Sequence, residues 1–203
     1  MQHLLKVSLR DVRPYVTREF VVASDIRLDR LHAVLQVVMG WSDAHLHEFV
    51  VGGLRRGLRY GPPASDAETY GRPPIDERTV TLGEIAGLVG AKFFYEYDFG
   101  DDWLHDVVVK GIGEIDAAVQ APHCVKATGV CPPENCGGAS GYEALLAALR
   151  DPGRPDRDDL LEGIDQDFDP DAEYDFDAVN GALAKLAARW RKATPRRKGT
   201  SRG

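Results

Sequence analysis

The sequence predicts a single α+β domain in which helices cover mainly one face of a mixed β-sheet. Three observations carry this prediction: a hairpin–helix–strand order at the start of the chain, an aromatic hairpin near its middle, and a length of 203 residues with 43% apolar residues. A chain of this length supports one sizeable core more readily than two ordinary domains. We expect the domain to span residues 1–193 and a disordered basic tail to occupy residues 194–203.

The order of the first elements resembles the opening of a β-grasp fold. The elements expected there are strands at Leu4–Asp11 and Tyr15–Ala23, a helix along the apolar positions 28–38, and a strand at His47–Val51. Pro14 suits the turn between the first two strands because proline cannot donate to a strand ladder. Asp25 is the expected N-cap of the helix, and Gly40 is expected just past its last turn.

Aromatic residues at alternate positions indicate a second hairpin. Aromatic residues occupy every second position of Phe93–Phe99, which is typical of a strand. Gly100–Asp102 is the expected turn, and Trp103–Val109 is the expected partner strand.

The remaining segments predict helices separated by long loops. The helices are expected at Thr81–Val89, at Tyr142–Leu149 and along an apolar seam from Val179 to Trp190. Thr81 and Glu84 have the spacing of a capping box. The segments Gly52–Pro74 and Pro122–Gly141 are rich in glycine and proline and are expected to be loops.

The charge of the chain limits its partners. A net charge of −7 argues against general attraction to nucleic acid or to anionic membranes. Residues 151–177 hold twelve acids and two arginines, whereas residues 185–203 hold eight basic residues and no acid. Nucleic-acid binding is therefore expected only weakly, through the basic tail. The odd number of three cysteines and the lack of a long apolar run predict a cytoplasmic protein without a membrane partner.

Three blocks of sequence carry a resemblance to a known family. They are WSDAHLHEF at residues 41–49, YEYDFGDDWLH at residues 95–105 and CPPENCGG at residues 131–138, with a weaker match at residues 167–180. The chain resembles the plasmid pRiA4b Orf-three-like family, which includes TnpR-like passenger proteins of insertion elements. The resemblance implies an α+β fold and a link to mobile elements, without a settled activity. Asn135 stands where the family often has an acid, which removes one candidate carboxylate.

The turn of the aromatic hairpin is the first candidate site. Asp98, Asp101, Asp102 and His105 lie within eight residues of one another, and clustered carboxylates with an imidazole suit a divalent metal or acid–base chemistry. Trp103 is a further ligand-binding candidate in this segment. The alternative is ordinary turn chemistry, in which the aspartates bond the backbone of the turn and the histidine is half buried.

The glycine-rich loop near residue 134 is the second candidate site. Two prolines stiffen the approach to Glu134, and Gly137 and Gly138 permit close backbone approach. A helix that starts near Tyr142 would add free N–H groups that favour an anion. The alternative is an elaborate entry turn to that helix.

Histidines and cysteines provide two weaker metal hypotheses. Cys124, Cys131 and Cys136 are spaced C-x6-C-x4-C, which lacks the C-x2–4-C pairs usual at zinc sites. Together with His105 they could bind zinc or manganese, and the alternative is buried free thiols. The pair His45 and His47 would share one face of a strand and could also bind a metal, the alternative being a surface histidine pair.

Two functional hypotheses follow from these residues. The one we favour is a non-catalytic accessory or binding module that holds a small ligand or a protein. The other is a metal-dependent hydrolase or nuclease that uses Asp98, Asp102, His105 and Glu134. The candidate site in either case requires that segments 98–105 and 134–142 fold around a common cleft.

Overall fold

One mixed β-sheet organises the structure, a computed structural model that describes residues 1–63, 73–114, 121–165 and 167–193. The strands in these residues are β1 Gln2–Leu9, β2 Thr17–Ala23, β3 His47–Val51, β4 Leu58–Gly61, β5 Ile75–Asp76, β6 Lys92–Tyr97, β7 Trp103–Gly113 and β8 His123–Thr128. Their order across the sheet is β5-β4-β3-β6-β7-β1-β2-β8. The β4–β5 pair is parallel and the other pairs are antiparallel, so the predicted mixed sheet is confirmed.

In the described residues, two α-helices lie between strands and three come after the last strand. They are α1 Leu28–Met39, α2 Leu82–Ile85, α3 Gly138–Arg150, α4 Arg157–Leu161 and α5 Phe176–Ala193, with a short 3-10 turn at Glu77–Thr79. The predicted α+β class is therefore confirmed. None of the helices in the described part of the chain is both long and apolar enough to cross a bilayer.

One face of the sheet forms one side of the hydrophobic core. Along β1, Leu5, Val7 and Leu9 are buried, whereas the residues between them are only half buried. This alternation arises because successive side chains of a strand point to opposite faces. The buried face packs on the apolar side of α1, which includes Leu31 and Leu35.

The ends of α1 and α2 test the predicted caps. Gly40 ends α1 with a φ of 88° and an N–H that donates to Gln36 O, as predicted. The prediction for Asp25 is wrong, because Arg27 occupies the N-cap position and offers no side-chain hydrogen bond. The capping box of Thr81 at the start of α2 is confirmed.

Two segments predicted to be loops contain strands at or next to the edges of the sheet instead. β4 lies within Gly52–Pro74, and β8 lies within Pro122–Gly141. Both strands are short, and β8 has half-buried or exposed residues at most positions. Their apolar alternation is therefore weak, and pairing with β3 and β2 determines the strand conformation. Residues 64–72 and the predicted tail at residues 194–203 lie outside the described residues.

Candidate functional site

The three motif blocks meet in the structure. The indole Nε1 of Trp41 donates to Pro132 O at 2.9 Å, and the hydroxyl of Tyr97 donates to the carboxylate of Glu134. The N–H of Gly137 donates to the carboxylate of Asp101 at 3.2 Å. The structure thus brings segment 134–142 against the turn of the β6–β7 hairpin, with the loop between α1 and β3 beside both.

Glu134 is held as an ionised acceptor. Its carboxylate accepts hydrogen bonds from the N–H of Ser42 at 3.2 Å, from the hydroxyl of Ser42 and from the hydroxyl of Tyr97. Burial raises the pKa of Glu134, but these hydrogen bonds outweigh it and leave the pKa below its usual value. Burial, assisted by the hydrogen bond to Glu134, raises the pKa of Tyr97, which remains a neutral donor.

The aspartates of the hairpin turn mainly organise the turn itself. Asp98 Oδ1 accepts from the N–H of Gly100 at 3.0 Å and of Asp101 at 3.3 Å, which is a turn bonded by its own aspartate. Asp98 Oδ2 lies 3.4 Å from His45 Nε2, an ion-pair distance. Asp102 is exposed. The N–H of Asp102 donates to Asp98 O at 2.7 Å, which closes the same turn. Ordinary turn chemistry therefore explains Asp98, and the recorded hydrogen bond of Asp102 in this group is made by its backbone.

Unusual backbone conformations are concentrated in the motif blocks. Four of their non-glycine residues have φ between 55° and 61°: Asp43, Asp98, Asp102 and Asn135. Aspartate and asparagine adopt this left-handed conformation more readily than most residues, which explains an asparagine at position 135. Gly138 also has a positive φ, and a Cβ there would lie 2.4 Å from Asp101 O. Only glycine permits this close approach of the loop to the hairpin.

His105 and Trp103 belong to the core beneath the turn. The His105 ring is fully buried, with Nδ1 3.0 Å from Tyr95 O and the ring edge-on to Trp41. Burial lowers the pKa of His105 to about 4, so the ring is neutral at physiological pH. Trp103 and Tyr142 are each 1% exposed. These three residues, which were predicted to bind a ligand, are therefore packed in the core next to the site and do not face solvent.

The cysteines are thiols in three different surroundings. Cys124 and Cys131 are buried and Cys136 is half buried. Burial raises the pKa of each thiol, that of Cys136 to about 12. Within residues 1–63, 73–114, 121–165 and 167–193, neither the cysteines nor His105 belong to a group of three or more side chains that could share a metal ion. The predicted Cys3His arrangement is therefore not formed.

A second polar group was largely missed by the sequence prediction, which named only His47, paired with His45. His45 precedes β3 and lies next to Asp98, so the predicted pair on one strand face is not formed. This second group, the histidine cluster, consists of His32, Gln36, Asp43, His47, Glu77 and Tyr95. The Nε2 atom of His32 lies 2.8 Å from Asp43 Oδ1, and that of His47 lies 2.8 Å from Glu77 Oε2. The two imidazole rings stack in parallel, 3.4 Å apart. All members except Asp43 are less than 7% exposed, so the cluster is a buried polar network with one side chain at the surface.

Hydrogen bonds and burial keep His32 neutral within the histidine cluster. The Nδ1 atom of His32 lies 2.8 Å from the hydroxyl of Tyr95, which also accepts from Gln36 Nε2. Burial, followed by repulsion from His47, lowers the pKa of His32 to about 4. A neutral His32 with its proton on Nε2 donates to Asp43 and accepts from Tyr95, which satisfies both ring nitrogens.

An open groove runs beside the Glu134 loop. Its volume is about 440 Å³, and Trp41, Phe168 and Tyr174 line it. Its acidic residues are Glu134, Asp165, Asp167, Glu173 and Asp175. Arg18 is the basic residue among the described lining residues, and its guanidinium donates to the carbonyl groups of residues 17, 38, 128 and 129. The groove therefore presents aromatic walls and an acidic rim.

Comparison with known proteins identifies the family of the chain. The sequence profile of the plasmid pRiA4b ORF-3-like protein family matches residues 2–178. The chain belongs to this family. It is 39% identical over 194 residues to the uncharacterised protein y4hQ of Sinorhizobium fredii (strain NBRC 101917 / NGR234), a match that covers 95% of this chain and 96% of the relative.

A solved structure shares the fold of this pRiA4b ORF-3-like chain. It is the crystal structure of MM3350, a protein of unknown function from Methanosarcina mazei Go1. The TM-score is 0.73 at 29% sequence identity, and the match covers 87% of this chain and 96% of that protein. Both similar proteins are described as having no known function, so the function must be argued from the site itself.

Proposed function

We propose that this chain is a non-catalytic ligand-binding module whose groove takes a cationic group on an apolar body. An alkylguanidinium has this chemistry, whether it belongs to a small molecule or to an arginine side chain of a peptide. The observation that supports this proposal most strongly is the combination of aromatic walls with five acidic residues around the groove. A volume of about 440 Å³ suits a compact ligand or one to two side chains.

Charge complementarity supports a cation over an anion. The Arg18 guanidinium is 1% exposed and donates to four backbone carbonyl groups, so it is poorly placed to attract an anion from solution. Asp165, Asp167, Glu173 and Asp175 are exposed at the rim. Aromatic side chains such as Trp41 add cation–π attraction.

The surroundings of the predicted catalytic residues support the catalytic alternative less well than the groove supports ligand binding. A metal-dependent hydrolase using Asp98, Asp102, His105 and Glu134 needs these groups around one solvent-filled point. The His105 ring is enclosed in the core, and the Glu134 carboxylate is occupied by donors from Ser42 and Tyr97. A link to mobile elements stays a prediction that depends on the family resemblance.

Matched peptides test the proposal. The probes are the capped dipeptides acetyl-Arg-Phe-amide and acetyl-Glu-Phe-amide, with phenethylguanidine as the small-molecule counterpart, each titrated into the full chain by calorimetry. We expect the arginine dipeptide to bind and the glutamate dipeptide not to bind, because exposed carboxylates attract one charge and repel the other. Binding only of phenethylguanidine would indicate a small-molecule ligand, and preference for the dipeptide would indicate a peptide.

Two double variants with the same change in net charge provide the control. The variant Asp167→Asn, Glu173→Gln removes two rim charges and should weaken binding roughly tenfold, since each exposed charge contributes about 0.5–1 kcal/mol. The variant Asp159→Asn, Glu162→Gln removes two exposed acids outside the groove lining. Equal weakening in both variants, or equal binding of the two dipeptides, would contradict the proposal.

A further inference from the structure

The histidine cluster has a chemistry that the proposed groove does not use. We propose that His32, Asp43 and His47, with Glu77 as a fourth ligand, form a binding site for one divalent transition-metal ion, and that zinc fits this site best. None of these four residues lines the groove, although α1 and the loop that follows it contribute residues to both sites. This inference is therefore independent of the proposed function.

The proposed ligand atoms lie nearly as close to one another as the ligand atoms of a metal site do. One ligand atom from each of His32, Asp43 and His47 lies within 4.8 Å of the other two. In a tetrahedral zinc site with bonds of about 2.0–2.2 Å, ligand atoms are roughly 3.3–3.6 Å apart. To reach these distances the three atoms must approach one another by up to about 1.5 Å, and the two parallel rings must tilt so that their lone pairs converge. Glu77 lies outside this group of three and contacts it through His47 at 2.8 Å, so its carboxylate must move further to become the fourth ligand.

The set of donors favours zinc over the hard cations. Two imidazole nitrogens and two carboxylates are ligands that zinc commonly combines, whereas calcium and magnesium prefer oxygen ligands alone. The carboxylates of Asp43 and Glu77 already lie 2.8 Å from the Nε2 atoms of His32 and His47, respectively. Their two negative charges would balance the charge of the ion within a largely buried pocket.

Neighbouring residues orient the ligands in the way that partners of metal-bound histidines do. The hydroxyl of Tyr95 contacts His32 Nδ1 at 2.8 Å, and Gln36 Nε2 donates to the same hydroxyl at 3.0 Å. The carbonyl of the Gln36 side chain accepts from the N–H of Asp43 at 2.9 Å. One buried amide therefore fixes two of the proposed ligands relative to each other.

Protonation and access are compatible with binding at neutral pH. The His32 ring is neutral at pH 7, because burial lowers its pKa to about 4. Metal binding at Nε2 requires the neutral tautomer with its proton on Nδ1, so the hydrogen bond between His32 and Tyr95 would reverse. Nδ1–H would then donate to the Tyr95 oxygen, the hydroxyl proton would turn away from the ring, and His32 would stay neutral. The side chain of Asp43 is 61% exposed, which gives an ion a path from solvent into the cluster.

Metal analysis of the full chain tests this inference. The protein is prepared without a metal-affinity tag, stripped with a chelator, dialysed against zinc chloride and analysed by mass spectrometry for bound zinc. We expect one zinc ion per chain. Cobalt chloride should give the intense visible absorption of a four-coordinate cobalt site with nitrogen and oxygen ligands. A chain that retains no zinc after dialysis would overturn the inference.

A pair of matched variants separates this site from weak surface binding. Asp43→Asn removes one ligand charge while asparagine tolerates the φ of 60° at this position. It should lower zinc affinity at least about tenfold, since even hydrogen-bond partners of ligands typically contribute about 10- to 100-fold. Asp11→Asn is the control, because Asp11 is an exposed aspartate with a φ of 57° outside the cluster. Equal zinc affinity of the two variants would overturn the inference.

Discussion

Among single side chains, Arg18 joins separate elements through one buried guanidinium. It donates to Val38 O in the last turn of α1 and to Thr128 O and Gly129 O at the end of β8. The last carbonyl groups of a helix have no partner within the helix, and the negative end of the helix dipole favours a cation. Arg18 therefore stabilises the end of α1 where it borders the groove.

We expect Arg18→Lys to destabilise the chain by about 2–4 kcal/mol, because a lysine cannot present the planar set of donors that these carbonyl groups require. Chemical denaturation measures this change. Arg56→Lys is the matched control at an exposed position, where the change should stay within about 0.5 kcal/mol. Similar unfolding free energies for both variants would show that the guanidinium network contributes little.

The residues of the Glu134 loop could be found from sequence, whereas most of the histidine cluster could not. Glu134, Gly137 and Gly138 stand out because prolines and glycines mark a special backbone. His32 and Gln36 lie four residues apart on the apolar face of α1, and this pair of polar residues was the available signal. Their partners are distant in sequence, so only the folded chain shows that they interact.

Between elements, the contact of the Glu134 loop with the β6–β7 turn depends on Gly138. A Cβ at this position would lie 2.4 Å from the backbone oxygen of Asp101. Real Cβ atoms do not tolerate such a distance, so a side chain at this position must displace either the loop or the hairpin.

We expect Gly138→Ala to destabilise the chain by about 1–3 kcal/mol more than Gly163→Ala does, on the scale of overpacking a tight contact. Gly163 has a similar positive φ of 78° but no atoms within 4 Å of its expected Cβ. The two variants share the cost of a left-handed alanine, and their difference isolates the contact with Asp101. Thermal and urea unfolding of both variants measure it, and equal losses would argue against this contact.

The predictability of the strands follows their position in the sheet. β6 and β7 are central, and their alternating aromatic and apolar residues reflect one buried face. β5 and β8 lie at the sheet edges, and β4 lies next to β5. These short strands bury little apolar surface, so their sequences carry little periodicity and tertiary pairing determines their conformation.

For the molecule as a whole, buried neutral histidines make stability depend on pH. Burial lowers the pKa of His32 and of His105 to about 4 in the folded chain, against about 6.5 in an unfolded chain. Between these values the unfolded state binds more protons than the folded state does. The free energy of unfolding therefore rises with pH in this window and falls as pH drops from about 6.5 towards 4.

We expect the unfolding free energy of metal-free protein to fall by roughly 1–3 kcal/mol per pH unit between about pH 6 and pH 5, since each histidine contributes at most about 1.4 kcal/mol per unit. Urea denaturation at several pH values, with a chelator present, measures this slope. An unfolding free energy that stays constant from about pH 6.5 to pH 4.5 would show that these rings titrate normally in the folded chain.

The order of strands places the first two motif blocks next to one another. β3, β6 and β7 are consecutive in the sheet, and they carry or adjoin the first two blocks. The predicted hairpin–helix–strand opening is present, but β6 and β7 separate β3 from β1. The sequence could predict most helices and strands and the contact between segments 98–105 and 134–142. The order of the strands depends on pairing between residues far apart in the chain, which no local sequence pattern shows.

A double-mutant cycle on Tyr97 and Glu134 tests most directly whether the motif blocks meet as described. The variants are Tyr97→Phe, Glu134→Ala and their combination, with Tyr15→Phe replacing Tyr97→Phe in a control cycle because Tyr15 is 61% exposed. A hydrogen bond from the Tyr97 hydroxyl to the Glu134 carboxylate predicts a coupling free energy of about 1–2 kcal/mol. Additive effects within about 0.3–0.5 kcal/mol, as expected for the control cycle, would contradict the convergence of these blocks.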